Sequence, residues 1–139
     1  MNFWEKKKIE STATHLIGGN LGYEYVGQFG TNYRYKIILT TYTNCDATSN
    51  IPQPEGPNLT IGIYGHDVQN DPLNGGVKTW ITDATITLVD SNQIDPNLPG
   101  NCPIGSNVCI YKGVYEGFVD LPLNFNGYHV FYERCCRNG

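Results

Sequence analysis

Five cysteines stand at positions 45, 102, 109, 135 and 136 of a 139-residue chain. Thiols can hold a soft metal, act as nucleophiles, or cross-link. Structural zinc sites take their ligands from closely spaced pairs such as C-x-x-C, with histidines or further cysteines to match. No C-x-x-C occurs here, and few histidines accompany the cysteines. A nucleophilic thiol needs a base beside it, and nothing in the sequence places one there. Cross-linking is the reading that remains, and it implies an oxidising compartment. Cys102 and Cys109 bracket the short stretch Pro103 to Val108, and closing that loop constrains the unfolded chain by roughly 2.5 kcal/mol. Cys135 and Cys136 are adjacent. On a strand their side chains point to opposite faces, so they do not pair with each other. If Tyr128, Val130 and Tyr132 face the core, Cys136 shares that face, as Cys45 does at the end of its own strand. The expected pairs are Cys102–Cys109 and Cys45–Cys136, with Cys135 unpaired. The longer loop is worth roughly 4.5 kcal/mol on the same loop-entropy reasoning.

A second cluster is Asp67, Asn70, Asp71 and Asn74, within the stretch His66 to Gly76. These are hard oxygen donors of the kind calcium takes. Their spacing is not that of an EF-hand loop, and Asp and Asn belong in any tight turn because they tolerate unusual backbone angles. The turn reading is preferred, with the four residues kept as a weak calcium candidate. The histidines, His15, His66 and His129, fall on three distant stretches, and no two stand at a metal-ligand spacing. Asn58-Leu59-Thr60 fits a glycosylation triplet, a pattern frequent by chance. No Ser-His-Asp set, phosphate loop or carboxylate pair stands out. The expectation is a protein that is not an enzyme and uses no cofactor.

The elements that would carry these residues read as strands. Tyr33 to Thr43 is the clearest, with Tyr35, Ile37 and Leu39 on one face and Arg34, Lys36 and Thr40 on the other, a period of two. A shorter strand precedes it at Leu21 to Phe29. Pro52, Pro54 and Pro57 make Asp46 to Asn58 a loop, since proline cannot donate to a ladder. Leu59, Ile61 and Ile63 alternate next. Val77 to Val89 supplies one or two strands, with Ala84, Ile86 and Leu88 on one face. Asp90 to Asn107 reads as the longest loop. Val108 to Tyr111 reads as a short strand turned by Lys112-Gly113 into Val114 to Leu121, with Tyr115, Val119 and Leu121 facing one way. A final strand opens at Tyr128. Seven or eight short strands with no helical period predict an all-β fold, an antiparallel sandwich or barrel, of which an immunoglobulin-like β-sandwich is the preferred form. Residues 1–12 stand apart, and 13–139 form a single domain whose C-terminal end is expected to lie beyond Gly139.

Composition narrows the function. Charged residues are only 16% of the chain and the net charge is −4, against about 25% charged residues in an average domain. Asn, Thr, Gly and ten tyrosines supply the polar surface instead, a pattern common on extracellular β proteins. Without a basic stripe, nucleic acid is a poor partner. No apolar run approaches the roughly 18 residues of a spanning helix, so membrane insertion is not expected. Lys6-Lys7-Lys8 is not followed by the apolar run of a signal peptide, so export would depend on a signal absent from this sequence. Tyr on strands is first a packing residue, although a tyrosine-lined outer face could stack on sugars.

Four stretches together resemble a known module. Ala13-Thr14-His15-Leu16-Ile17-Gly18-Gly19-Asn20-Leu21-Gly22-Tyr23 is similar to a pattern A-[ST]-H-[IL]-[VI]-G-G-x-[IL]-x-Y. Tyr33 to Cys45 is similar to a strand Y-x-[IV]-x-L-x-x-Y-R-D-C. Val108-Cys109-Ile110 through Leu121-Pro122 is similar to V-C-V-x-x-G-x-Y-x-G-x-V-x-L-P. Gly127 to Asn138 is similar to G-Y-H-[IV]-x-Y-[QE]-R-C-C-R-N. The chain thus resembles the N-terminal module of large Bacteroidota cell-surface proteins of the gliding-motility-associated kind. These carry Ig-like or PKD repeats downstream and a type IX secretion signal. The resemblance is collinear from Ala13 to Asn138. It implies a secreted, outer-surface protein serving adhesion or gliding motility, with the downstream domains of the same polypeptide as neighbours, and it supplies no catalytic residue. Surface polysaccharide or another cell-surface protein is the expected partner. A carbohydrate-binding module of a polysaccharide-utilising protein is the alternative. Family members often carry a cysteine near Tyr25, absent here, which accounts for an odd cysteine. The family also continues past C-C-R-N.

Overall fold

The computed structural model describes residues 15–44, 56–67, 76–94 and 110–133. Among these residues six strands are formed: β1 (His15–Phe29), β2 (Asn32–Asn44), β3 (Asn58–Asp67), β4 (Val77–Ile94), β5 (Ile110–Pro122) and β6 (Tyr128–Phe131). They make one antiparallel sheet in the order β1-β2-β5-β4-β3-β6, curled into a half-barrel.

The architecture is all-β, as the period-two pattern predicts; the described residues form one curled sheet of six strands, and a sandwich of seven or eight strands is not seen among them. Two misread boundaries explain much of this. Lys112-Gly113 is not a turn. Gly113 lies inside β5, opposite Thr41 of β2 and Ser91 of β4. It is buried within the strand rather than reversing the chain. Val77 to Val89, read as one or two strands, is one, and it runs on to Ile94 into what reads as loop. The first strand starts at His15 rather than Leu21, because Gly18, Gly19 and Asn20 pair with Tyr42, Thr41 and Thr40.

Strand faces fall as the alternation predicts. Ile37 and Leu39 on β2, Ile61 and Ile63 on β3, Ala84 and Ile86 on β4, and Tyr115, Val119 and Leu121 on β5 are buried together on the concave side. Each fully buried isoleucine contributes about 1.5–3 kcal/mol by leaving water. Tyr128, Val130 and Tyr132 pack against this cluster from the edge. The curl brings β6 back towards β2: Tyr128 approaches Tyr35, whose phenol, after burial itself, helps raise the Tyr128 pKa above the ordinary tyrosine range. The Tyr128 hydroxyl donates to the carbonyl of Pro122. Tyr115, with 0% exposure, donates its hydroxyl to the Gly56 carbonyl at 3.0 Å. That bond, with Leu88 N–H donating to Pro57 O at 2.9 Å, fixes where the chain enters β3.

The convex face carries paired charges among exposed apolar side chains such as Phe118 and Trp80. Arg34 Nε and Nη2 donate to the two carboxylate oxygens of Asp120 at 2.7 and 2.9 Å, the two residues being direct partners across β2 and β5. Lys36 Nζ lies 3.0 Å from Glu116. The Arg34 guanidinium also sits 4.1 Å from the centroid of the Phe29 ring. The hydrogen bonds from Arg34 hold the Asp120 carboxyl below its ordinary range. A carboxylate whose pKa is lowered by folding stabilises the folded state above its unfolded pKa, about 3.9, and loses that contribution as pH falls through the folded value. Thermal melts should therefore show wild type above Asp120→Asn at neutral pH, with the gap closing below about pH 4.

Candidate functional site

Strand β6 is four residues long and pairs only with β3 among the described strands. A turn delivers it. Gly127, at φ +85°, donates its N–H to Asn124 O at 3.0 Å. His66 N–H then donates to Gly127 O at 3.2 Å and opens the ladder. The register sets Tyr64 opposite His129 and Gly62 opposite Phe131. Alternation places Tyr64 and His66 of β3 with His129 and Phe131 of β6 on the convex face, and cross-strand diagonals are within reach of long side chains. His66 Nδ1 and His129 Nε2 lie 2.9 Å apart, with ring centroids at 5.0 Å. At that distance one ring carries the proton and the other accepts it. Phe131 stacks on His129 at 6.1 Å and 18°, and Tyr64 meets Phe131 edge-on at 5.4 Å. Lys78, opposite His66 on β4, leans its ammonium over Phe131 at 5.3 Å. Burial, then Lys78, then His66 lower the His129 pKa below the ordinary histidine range, which favours a neutral ring at pH 7.

A second feature lies at the opposite edge of the sheet. Tyr23 and Tyr25 of β1 are the direct partners of Ile37 and Tyr35 on β2, so they continue the concave, core-bearing face outward. No strand lies beyond β1 among those described, and Tyr23 and Tyr25 are 72% and 57% exposed. They are nonetheless fixed in position. Tyr23 meets Tyr35 at 6.2 Å and 72°, and Tyr25 meets Tyr35 at 5.7 Å and Tyr33 at 6.3 Å. The result is an outward-facing patch built from residues of the type that fill cores.

The sequence-derived candidates fare unevenly. Asp67 closes β3 opposite Val77, while Asn70, Asp71 and Asn74 lie outside the described residues, as do Cys45, Cys102, Cys109, Cys135 and Cys136. The proposed disulfides and the calcium reading therefore stand as expectations. Thr41 and Thr43 are buried on β2, and Val130 and Tyr132 pack against the core. His15 takes part in the β1 backbone, opposite Asn44. The His66–His129 contact has no counterpart in the sequence reading. The two residues are 63 apart, and only the pairing of β3 with the non-consecutive β6 brings them together. The signal available was parity alone: both histidines occupy the face of their strand away from the core.

Among the described residues no group of three or more His, Cys, Asp or Glu side chains is placed to hold a metal ion, and no helix is long and apolar enough to cross a membrane. The fold and its two surface features define a class: an all-β antiparallel module, curled on itself, with an aromatic patch along one edge and a histidine pair along the other. No protein family, curated protein or solved structure matches the chain.

Proposed function

We propose that this chain is a non-catalytic binding module of a secreted cell-surface protein, serving adhesion or gliding, and that the tyrosine patch of β1 and β2 is its contact surface. The observation that carries the reading is the pair Tyr23 and Tyr25, largely exposed yet held by Tyr33 and Tyr35. Rigid, amphipathic tyrosines give large contact area at low entropic cost, and they are enriched at the energetic centres of protein interfaces. The four motif stretches resembling gliding-associated surface modules, and the low-charge surface, support an extracellular setting.

Shape orders the partners. The tyrosine rings cross at 72°, 57° and 38°. They form a ridged surface, whereas stacking on successive sugar rings wants a flat one. Another cell-surface protein is thus the first choice of partner. Surface polysaccharide is the second, kept because exposed tyrosine faces do pack against sugars. Binding of the purified protein to isolated cell-surface proteins and to a panel of polysaccharides separates the two. Tyr23→Ser with Tyr25→Ser should weaken the true interaction about tenfold or more and lower stability by about 1–3 kcal/mol through the lost ring pairs, so binding is compared where both proteins are shown to be folded. Saturable binding to a purified glycan, lost in the double variant, would select the carbohydrate reading.

A further inference from the structure

We infer that His66 and His129 form a two-imidazole site for a divalent transition-metal ion, Cu(II) or Ni(II), on the convex face of the β3–β6 pair. The first argument is distance. With metal–nitrogen bonds of about 2.0–2.1 Å, nitrogens 2.9 Å apart subtend about 90° at the metal. That is the angle between neighbouring ligands in square-planar or octahedral coordination, the geometry of Cu(II) and Ni(II). The second argument is preorganisation. Metal-ligating histidines owe much of their affinity to neighbours that fix the ring. Here the Phe131 ring stacks on His129 and is itself met edge-on by Tyr64, while the backbone of His66 is tied to Gly127. Divalent ions prefer imidazole ligands in the order that peaks at copper.

The proton balance is simple. In the neutral pair one N–H points between the rings. The metal takes the lone pairs of His66 Nδ1 and His129 Nε2, and that proton moves to the other nitrogen of the same ring, so no net proton is released. Each ring must turn by about 45° from the line of their mutual hydrogen bond to face a common point, a motion open to side chains that are only partly buried. Lys78 opposes the bound charge, and no third His, Cys, Asp or Glu joins the pair among the described residues. The site is therefore weak and leaves coordination positions to water, where a carboxylate or imidazole of a partner could enter.

The test is Ni(II) titration of the full chain, followed by calorimetry and by paramagnetic broadening in 1H–15N NMR spectra. Broadening should centre on residues 64–66 and 128–131. His66→Gln and His129→Gln, which keep a polar side chain on the strand, should each weaken binding by about tenfold or more, the scale on which even supporting residues of metal sites act. His15→Gln should change nothing, and Lys78→Ala should tighten binding. Unaltered affinity in the His66 and His129 variants, broadening centred elsewhere, or no broadening at millimolar Ni(II) would overturn the assignment.

Discussion

Replacing Gly117 with alanine is expected to destabilise the protein by about 3 kcal/mol, the upper range for forcing atoms into a packed core, and to lower the melting temperature accordingly. Gly117 faces Ile37 across β2 and β5. On its other side β4 comes so close that a Cβ there would sit 2.6 Å from the Thr85 carbonyl oxygen and 2.8 Å from Ile86 Cγ2. The first of these is backbone in the middle of a paired strand, and Ile86 is fully buried, so neither can step aside. Relief requires β4 and β5 to part at the centre of the sheet. Gly22→Ala is the control. That glycine lies in β1 with nothing within 4 Å of the added carbon, and the substitution should leave stability within about 0.5 kcal/mol. Equal effects of the two substitutions in a denaturant titration would contradict the packing described for β4 and β5.

Tyr115→Ala should be comparably severe, about 3–5 kcal/mol by analogy with other large aromatic truncations. The ring has no exposed surface and stands at the centre of the core cluster, opposite Leu39 on β2 and Leu88 on β4. Removing it opens a cavity between three strands. Tyr115→Phe isolates the polar part. The ring stays, but the Gly56 carbonyl loses its donor at 3.0 Å, and an acceptor left without a partner costs about 1–3 kcal/mol. The two variants together separate core filling from the anchoring of the chain at the start of β3. A phenylalanine variant as unstable as the alanine one would mean that the hydroxyl, rather than the ring, carries the site.

Which side chains face inward was legible in the sequence because period-two alternation reports it directly. Ile37, Leu39, Ile61, Ile63, Ala84, Ile86, Tyr115, Val119 and Leu121 read as core-face residues and are buried as such. What alternation does not carry is where a strand ends when the local signal is ambiguous. Gly113 looks like a turn residue, yet it is buried inside β5 between its partners Thr41 and Ser91. Residues 90–94 look like loop because Asp, Ser and Asn are poor strand formers, yet pairing with β5 holds them extended. Alternation says still less about which strands are neighbours. The chain passes from β2 to β3 and from β5 to β6 by connections that skip across the sheet. The His66–His129 contact depends wholly on the second of these. The tyrosine patch was half visible: tyrosines at 23, 25, 33 and 35 read as strand residues, but only the place of β1 at the sheet edge makes two of them surface.

The tyrosine patch is the proposed contact surface. The most direct measurement is equilibrium retention of the labelled protein on intact bacterial cell surfaces, before and after protease treatment of the cells. Wild type is compared with the Tyr23→Ser, Tyr25→Ser double variant. The account predicts saturable retention by wild type, its loss after protease treatment, and a drop of about tenfold or more for the double variant. Retention of the folded double variant equal to wild type, or no saturable retention of wild type at all, would contradict it.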